Sequence, residues 1–261
     1  RIRITNPAHI HELGNQATGV WLTRGSGQET LPAIRSPVLT GPGACGAFLV
    51  LENGIPMRPT GFCNINQLFE LPSELGRSIE VIRGPSNALY GSNGLHGTLN
   101  ILLPEPGAAP GWNVGATVGP DAFYRARLDW DGTVARNGVT AGGLIDHYDG
   151  FRDATGHRQQ KGYLRLDRTT DSGTFELTMS AQNLEQDTGG FVIGRDAYRD
   201  RALRTTNPNP EAFRTADSQR LSMRWLPNDR PAGIPPDLRV YVRRPDPTFL
   251  QPFLPGQPRE D

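Results

Sequence analysis

The feature that most constrains the fold is a two-residue alternation of apolar and polar side chains, which recurs between residues 124 and 243. In segment 124–131 the apolar residues stand at even positions and the charged residues at odd positions. Successive side chains of a β-strand point to opposite faces, so this pattern predicts strands with one dry and one wet face. Six segments show it, and a weaker strand, 113–118, precedes them: 124–131, 139–145, 161–167, 175–182, 220–225 and 238–243.

Two fold classes fit this periodicity, a soluble antiparallel sandwich and a barrel that crosses a membrane. The chain has no run of about 18 apolar residues, which excludes a membrane helix. The connections favour a barrel. Segments 133–137 and 170–172 are short, whereas 148–160 and 186–213 are long, and outer-membrane barrels have short turns at one end and long loops at the other.

Residues 1–107 have a different character and predict a small α/β unit. Asn6-Pro7 is typical of a helix start, with Gly14 as its stop. Asn53-Gly54 predicts a type I′ hairpin turn. A helical stretch is expected at about 66–75, and the β-prone segments are 20–23, 31–34, 48–51, 79–82 and 98–103.

Composition gives no sign of a nucleic-acid partner, a metal site or catalysis. The 27 basic and 27 acidic residues balance. Of the five histidines, His9 and His11 are two apart on the predicted helix and are expected to diverge. Residues 41–46 fit G-x-G-x-x-G, but a strand is predicted after them where a dinucleotide site needs a helix. We therefore expect no cofactor, no metal and no enzyme.

Segment 79–101, read as IEVIRGPSNALYGSNGLHGTLNI, closely resembles the end of the plug domain of TonB-dependent receptors. Segment 33–36 is similar to the family's Ile-Arg-Gly element, with Ser in place of Gly, and segment 48–57 is similar to its Leu-Val-Asp-Gly-Val-Pro hairpin, with Asn53 in place of Asp. The signature residues are Glu80, Arg83, Gly84, Pro85, Tyr90, Gly91 and Gly97.

The resemblance implies a membrane β-barrel of antiparallel strands, partial in this sequence, with an N-terminal small α/β plug domain. The plug is expected at 1–107 and the first barrel strands and loops at 108–261. Transporters of this kind have about 22 strands. Since seven strands at most are predicted, we expect a piece of a longer receptor, without its signal peptide and TonB box.

The resemblance also implies a function in the outer membrane of a Gram-negative bacterium. Such receptors take up a scarce nutrient, for instance a ferric siderophore, with energy from TonB, ExbB and ExbD. The expected partners are those proteins, membrane lipid and a small extracellular ligand such as a metal chelate. The alternative is an outer-membrane protein that binds a ligand or mediates adhesion without transport.

Several site residues follow from the resemblance and from the residue types. In the family, the arginines that match Arg35 and Arg83 pair with glutamates on late barrel strands and lock the plug. We place ligand contact on the plug tips, with Arg58, Asn64 and Gln67 as binding residues, because arginine can pair with an anionic ligand and amides can fix its orientation. The long loops are expected to close over them.

Cys45 and Cys63 are predicted to form a disulfide. They lie nine residues before and nine residues after Gly54, so the predicted hairpin brings them together. The periplasm is oxidising, which permits the bond.

Overall fold

The computed structural model describes residues 2–38, 47–57, 67–228 and 237–250. The chain divides into two compact units, Arg1–Leu103 and Pro104–Asp261. No helix within the described residues is long and apolar enough to cross a membrane.

Two short helices and two small sheets make up the described part of the first unit. The helices are α1 (Ile2–Thr5) and α2 (His11–Gly14), and 3-10 turns cover Gln67–Glu70, Ser73–Leu75 and Ala88–Tyr90. Strands β1 (Val20–Leu22) and β2 (Pro32–Ile34) pair antiparallel. The second sheet has the order β4-β3-β6-β5, with β3 at Phe48–Glu52, β4 at Ile55–Pro56, β5 at Ser78–Arg83 and β6 at Gly97–Leu102.

The core of this unit lies around the parallel pair β3 and β6. Both strands are buried on both faces, which explains why β3 is a continuous apolar run. The turn from β3 to β4 has positive φ at Asn53 and Gly54, +49° and +79°, as a type I′ turn requires. The core side chains include Leu22, Ile34, Phe48, Val50, Leu68, Leu71, Leu99 and Ile101.

The helix expected from Asn6 to Gly14 is wrong. Asn6 has a left-handed φ of +44° and its N–H donates to the Ile2 carbonyl, so it ends α1 instead of starting a helix. The next helix begins only at His11. The helical stretch at 66–75 is likewise two separate 3-10 turns, because Pro72 lies between them and lacks a backbone donor.

The expected divergence of His9 and His11 is also wrong. His9 precedes α2, and the Nδ1 atoms of the two rings lie 2.9 Å apart. His9 Nδ1 also accepts from the His11 backbone N–H at 3.1 Å, while its Nε2 lies 3.2 Å from the Glu29 carbonyl oxygen. Burial lowers the pKa of His11, and Arg24 lowers it further against the opposing effect of Glu12.

In the second unit, residues 104–228 and 237–250 form a seven-stranded antiparallel sheet in which each strand pairs with its neighbours in sequence. Loops 119–123, 149–156 and 188–212 lie at one end, the long-loop end, and turns 135–136 and 171–172 lie at the other. The connection 228–237, also at the second end, lies mostly outside the described residues. The strands are β7 (Gly111–Val118), β8 (Tyr124–Val134), β9 (Asn137–Tyr148), β10 (His157–Thr170), β11 (Gly173–Asp187), β12 (Phe213–Pro227) and β13 (Leu238–Leu250).

The polar face of this sheet is buried and its apolar face is exposed, which is the reverse of the arrangement in a soluble protein. On the polar face, Arg125 and Lys161 are each 4% exposed, whereas on the apolar face Val114 is 76% and Val242 62% exposed. Leu144 is an apolar residue at a polar-face position of β9, and it is buried among the polar residues. A soluble sandwich buries its apolar face, so this arrangement supports the barrel.

The apolar band crosses the strands obliquely. On β8 the band extends from Tyr124 to Trp130. When the paired residues are followed across the sheet, these two positions correspond to Thr215 and Leu221 of β12. On β12, however, the band extends from Leu221 to Trp225. The band therefore shifts by about five residues, or roughly 17 Å, over four strand spacings of about 4.8 Å. If the apolar band lies parallel to the membrane plane, the strands must tilt by roughly 40° from the membrane normal, which is within the range of outer-membrane barrels.

Candidate functional site

Two exposed arginines from distant segments meet on the first unit. Arg35 follows β2 with a left-handed φ of +49°, and its backbone N–H donates to the Gly19 carbonyl at 3.0 Å. Arg83 ends β5, and its Nη1 donates to the Thr18 carbonyl at 2.9 Å. One short segment, Thr18-Gly19, thus holds both arginines.

Gly19 permits this approach. Its φ is +78°, and a Cβ atom built on it would lie 3.4 Å from Arg35 Cγ and 3.9 Å from Arg83 Cδ. Among the described residues, neither guanidinium has a carboxylate within 4.0 Å. The two guanidinium groups concentrate positive charge at this surface and can each donate hydrogen bonds to a carboxylate.

The signature residues of segment 79–101 hold the end of the small sheet together. Glu80 Oε2 accepts from the Asn100 side chain directly opposite at 2.9 Å. Gly84 and Gly91 have φ of +99° and +93°, which favour glycine. At Gly97 a Cβ would lie 2.8 Å from a backbone carbonyl, so the strands approach too closely there for a side chain. Pro85 is exposed and Tyr90 half-buried.

The polar face of the sheet carries a buried charge network that the sequence reasoning did not find. Asp146 accepts from Arg125 on β8 and, at 2.7 Å, from the Gln159 side chain on β10. His157 Nε2 lies 3.4 Å from its other oxygen. Arg125, Asp146 and Gln159 are consecutive partners across three strands, so register brings them together. Asp146, His157 and Gln159 lie just outside the predicted segments 139–145 and 161–167, and alternation does not specify the register that joins them.

A second charge network lies on the polar face near the short turns. Arg165 donates to Asp167 at 2.8 Å and has Glu176 at 3.2 Å. Arg224 donates to Asp237 at 2.9 Å. Asp237 precedes β13, and the hydrogen bond from Arg224 lowers the pKa of that carboxyl. Arg224 also lies 3.4 Å from Glu176, so together these pairs link β10, β11 and β12 to the residue that precedes β13.

Two loops at the long-loop end are bonded to each other. Arg152 in loop 149–156 donates from Nε to the Thr206 carbonyl at 2.9 Å and from Nη2 to the Gly190 carbonyl at 2.6 Å, both in loop 188–212. A guanidinium has enough donors to serve both carbonyls at once. The loops therefore form one joint surface at the long-loop end.

Several predicted positions lie outside the described residues, namely Arg58, Asn64, Cys45 and Cys63. Gln67 begins a 3-10 turn, and its side chain also lies outside the description. Within the described residues no group of three or more His, Cys, Asp or Glu side chains could hold a metal ion. The binding roles of Arg58, Asn64 and Gln67 and the disulfide between Cys45 and Cys63 therefore stay predictions.

A small α/β unit followed by a sheet with an exposed apolar and a buried polar face defines a class, the plugged outer-membrane barrel. Residues 2–98 match the family model of the TonB-dependent receptor plug domain. The pesticin receptor of Yersinia pestis is 26% identical over 167 residues, covering 59% of this chain and 25% of the receptor. The chain thus spans about a quarter of that relative.

Solved structures of the same class share the fold. The ferric yersiniabactin uptake receptor FyuA from Yersinia pestis matches with a TM-score of 0.67 and 17% identity, over 92% of this chain and 38% of that one. The unliganded ferric citrate transporter FecA matches with a TM-score of 0.69 and 15% identity, over the same shares. Residues 2–98 thus form a TonB-dependent receptor plug domain, and the chain is similar to TonB-dependent receptors in sequence and in fold.

Proposed function

We propose that the chain forms the plug and part of the wall of an outer-membrane receptor for energy-coupled uptake of a scarce nutrient in a Gram-negative bacterium. The match of residues 2–98 to the plug family carries this proposal. A ferric siderophore is the expected cargo, since the names of two structural neighbours specify ferric yersiniabactin and ferric citrate. TonB, with ExbB and ExbD, would supply the energy from the periplasm.

Arg35 and Arg83 would lock the plug to the barrel. Their convergence at Gly19 and their exposure support this role, because two adjacent guanidinium groups fit carboxylates in bidentate pairs. The expected partners are glutamates on further barrel strands. Release of both pairs would free the plug in one step, since the same Thr18-Gly19 segment holds both arginines.

Ligand would bind at Arg58, Asn64 and Gln67 of the plug, and the long-loop end of the sheet would face the outside. The joined loops 149–156 and 188–212 support this placement, because long loops of such barrels face the outside. Labelling of intact cells should therefore modify loop 188–212 and spare the Thr170–Ser172 turn. Replacement of Arg58 and Asn64 by alanine should weaken ligand binding by on the order of tenfold or more. Unchanged affinity would exclude these residues.

Uptake of radiolabelled ferric siderophores by cells producing the full-length receptor tests the function. We expect accumulation that requires TonB, and a loss of accumulation when Arg35 and Arg83 are both replaced by alanine. Arg24→Ala, at another exposed plug arginine, is the matched control and should keep wild-type uptake. Ligand binding without accumulation in TonB-containing cells would show that the protein captures its ligand or mediates adhesion and does not transport.

A further inference from the structure

A groove lies on the apolar face of the sheet, across β10 to β13. Its volume is about 470 Å³, within the range of small-molecule sites. Gly162 and Ala181, direct partners on β10 and β11, form its floor. The side walls are apolar and come from all four strands: Leu164, Met179, Leu221 and Val242.

The groove exists because its floor lacks long side chains. A Cβ atom at Gly162 would meet nothing closer than the Gly142 carbonyl oxygen at 3.6 Å, an ordinary contact. Gly162 is therefore not required by close packing or by a left-handed backbone. The space above it is open to the medium that surrounds the apolar face.

Polar groups stand at one rim of the groove. Gln219 and Arg244 face each other across β12 and β13, two residues beyond Leu221 and Val242 toward the long-loop end. Arg244 is exposed, and it makes no ion pair with any residue that the structure describes. An apolar groove that ends at an available guanidinium is complementary to a lipid, in which an apolar acyl chain is followed by an anionic headgroup.

The position in the membrane selects the lipid. Toward the long-loop end, Leu221 and Val242 are followed on this face by three polar pairs, Gln219 with Arg244, Asp217 with Asp246 and Thr215 with Thr248, so the Arg244 rim lies at the outer edge of the continuous apolar band. The outer leaflet of a Gram-negative outer membrane consists mainly of glycolipid with phosphorylated headgroups. We propose that the groove binds an acyl chain of this glycolipid and that Arg244 binds its phosphate.

Charge complementarity supports this occupant. A guanidinium binds phosphate in a bidentate manner and keeps its charge at an interface. Asp217 and Asp246 face each other on the same face of the sheet, two residues beyond Gln219 and Arg244 toward the long-loop end. Their carboxylates disfavour a phosphate beyond Arg244, so the headgroup is held at the groove. This site depends on the barrel fold and not on transport.

The test is the lipid that copurifies with the full-length receptor, extracted from outer membranes in mild detergent and measured by native mass spectrometry. Ala181→Leu fills the groove and should reduce bound phosphorylated glycolipid by on the order of tenfold, because its added carbons replace the acyl chain. Ala126→Leu is the matched control. It places the same side chain on the same face at β8, outside the groove, and should retain the lipid.

Arg244 supplies a second measurement that leaves the groove intact. Arg244→Ala should reduce bound glycolipid by on the order of tenfold, whereas Arg244→Lys should retain most of it because the charge remains. Equal glycolipid in wild type, Ala181→Leu and Arg244→Ala would overturn the proposal, as would an equal loss in Ala126→Leu. Phospholipid in place of glycolipid in the wild-type receptor would also overturn it. If Ala181→Leu does not fold, the two Arg244 variants decide.

Discussion

The buried pair of Arg125 and Asp146 gives a quantitative test of the inner wall. The Asp146 side chain is fully buried and that of Arg125 is 3% exposed, so neither charge is screened by water. Removing one partner of a buried ion pair costs about 3–5 kcal/mol. Asp146→Asn keeps the shape and one acceptor for Gln159, so we expect the lower end, roughly 3 kcal/mol.

The assay is urea unfolding of the full-length receptor in lipid vesicles, followed by tryptophan fluorescence. Asp149→Asn is the control; it disrupts a pair with His147 in which the carboxylate is 65% exposed, and it should cost less than about 1 kcal/mol. Combining Asp146→Asn with Arg125→Gln should cost less than the sum of the single changes by roughly 1–3 kcal/mol. Additive losses, or a loss in Asp146→Asn no larger than in the control, would refute the coupling.

Three further predictions concern the disulfide, the pH response and the independence of the two units. Unreduced protein exported to the periplasm should contain no alkylatable thiol, by intact mass, and reducing the Cys45–Cys63 bond should lower stability by roughly 3 kcal/mol; two free thiols would exclude it. Because the folded pKa of His11 is lowered, the unfolded chain binds the proton first as pH falls. The contribution of His11 is present above about pH 6.5 and is lost below it, so thermal unfolding temperatures should fall between about pH 7.5 and 5.5 and fall less in His11→Gln. Segment 108–261 alone should aggregate without detergent because its apolar face stays exposed, whereas 1–107 should fold; a soluble, cooperatively unfolding 108–261 monomer would contradict the barrel.

The sheet of the second unit could be predicted from the sequence because its signal is local. Alternation depends only on the period of two residues, so segment 124–131 indicates a strand and its faces without knowledge of its neighbours. Which face is buried is not local. Tyr124 and Arg125 would exchange environments in a soluble sandwich, and the plug signature of segment 79–101 decided between the two folds.

The charge networks and the histidine pair could not be predicted in the same way. Asp146 meets Gln159 only through the register of β9 and β10, which alternation alone does not specify. His9 meets His11 because Asn6 ends a helix, although Asn before Pro is equally typical of a helix start. Asparagine has both preferences, and the surrounding fold selects between them.

The oblique course of the apolar band means that hydrogen-bonded neighbours do not share a depth. One row of direct partners crosses all seven strands on the apolar face: Trp112, Trp130, Ala141, Leu164, Met179, Leu221 and Val242. On β8 this row marks the short-turn limit of the band, and on β12 it marks the opposite limit. A probe moved stepwise along the row would therefore travel from one leaflet to the other without leaving a single line of paired residues, so this line serves as a built-in depth scale for the membrane.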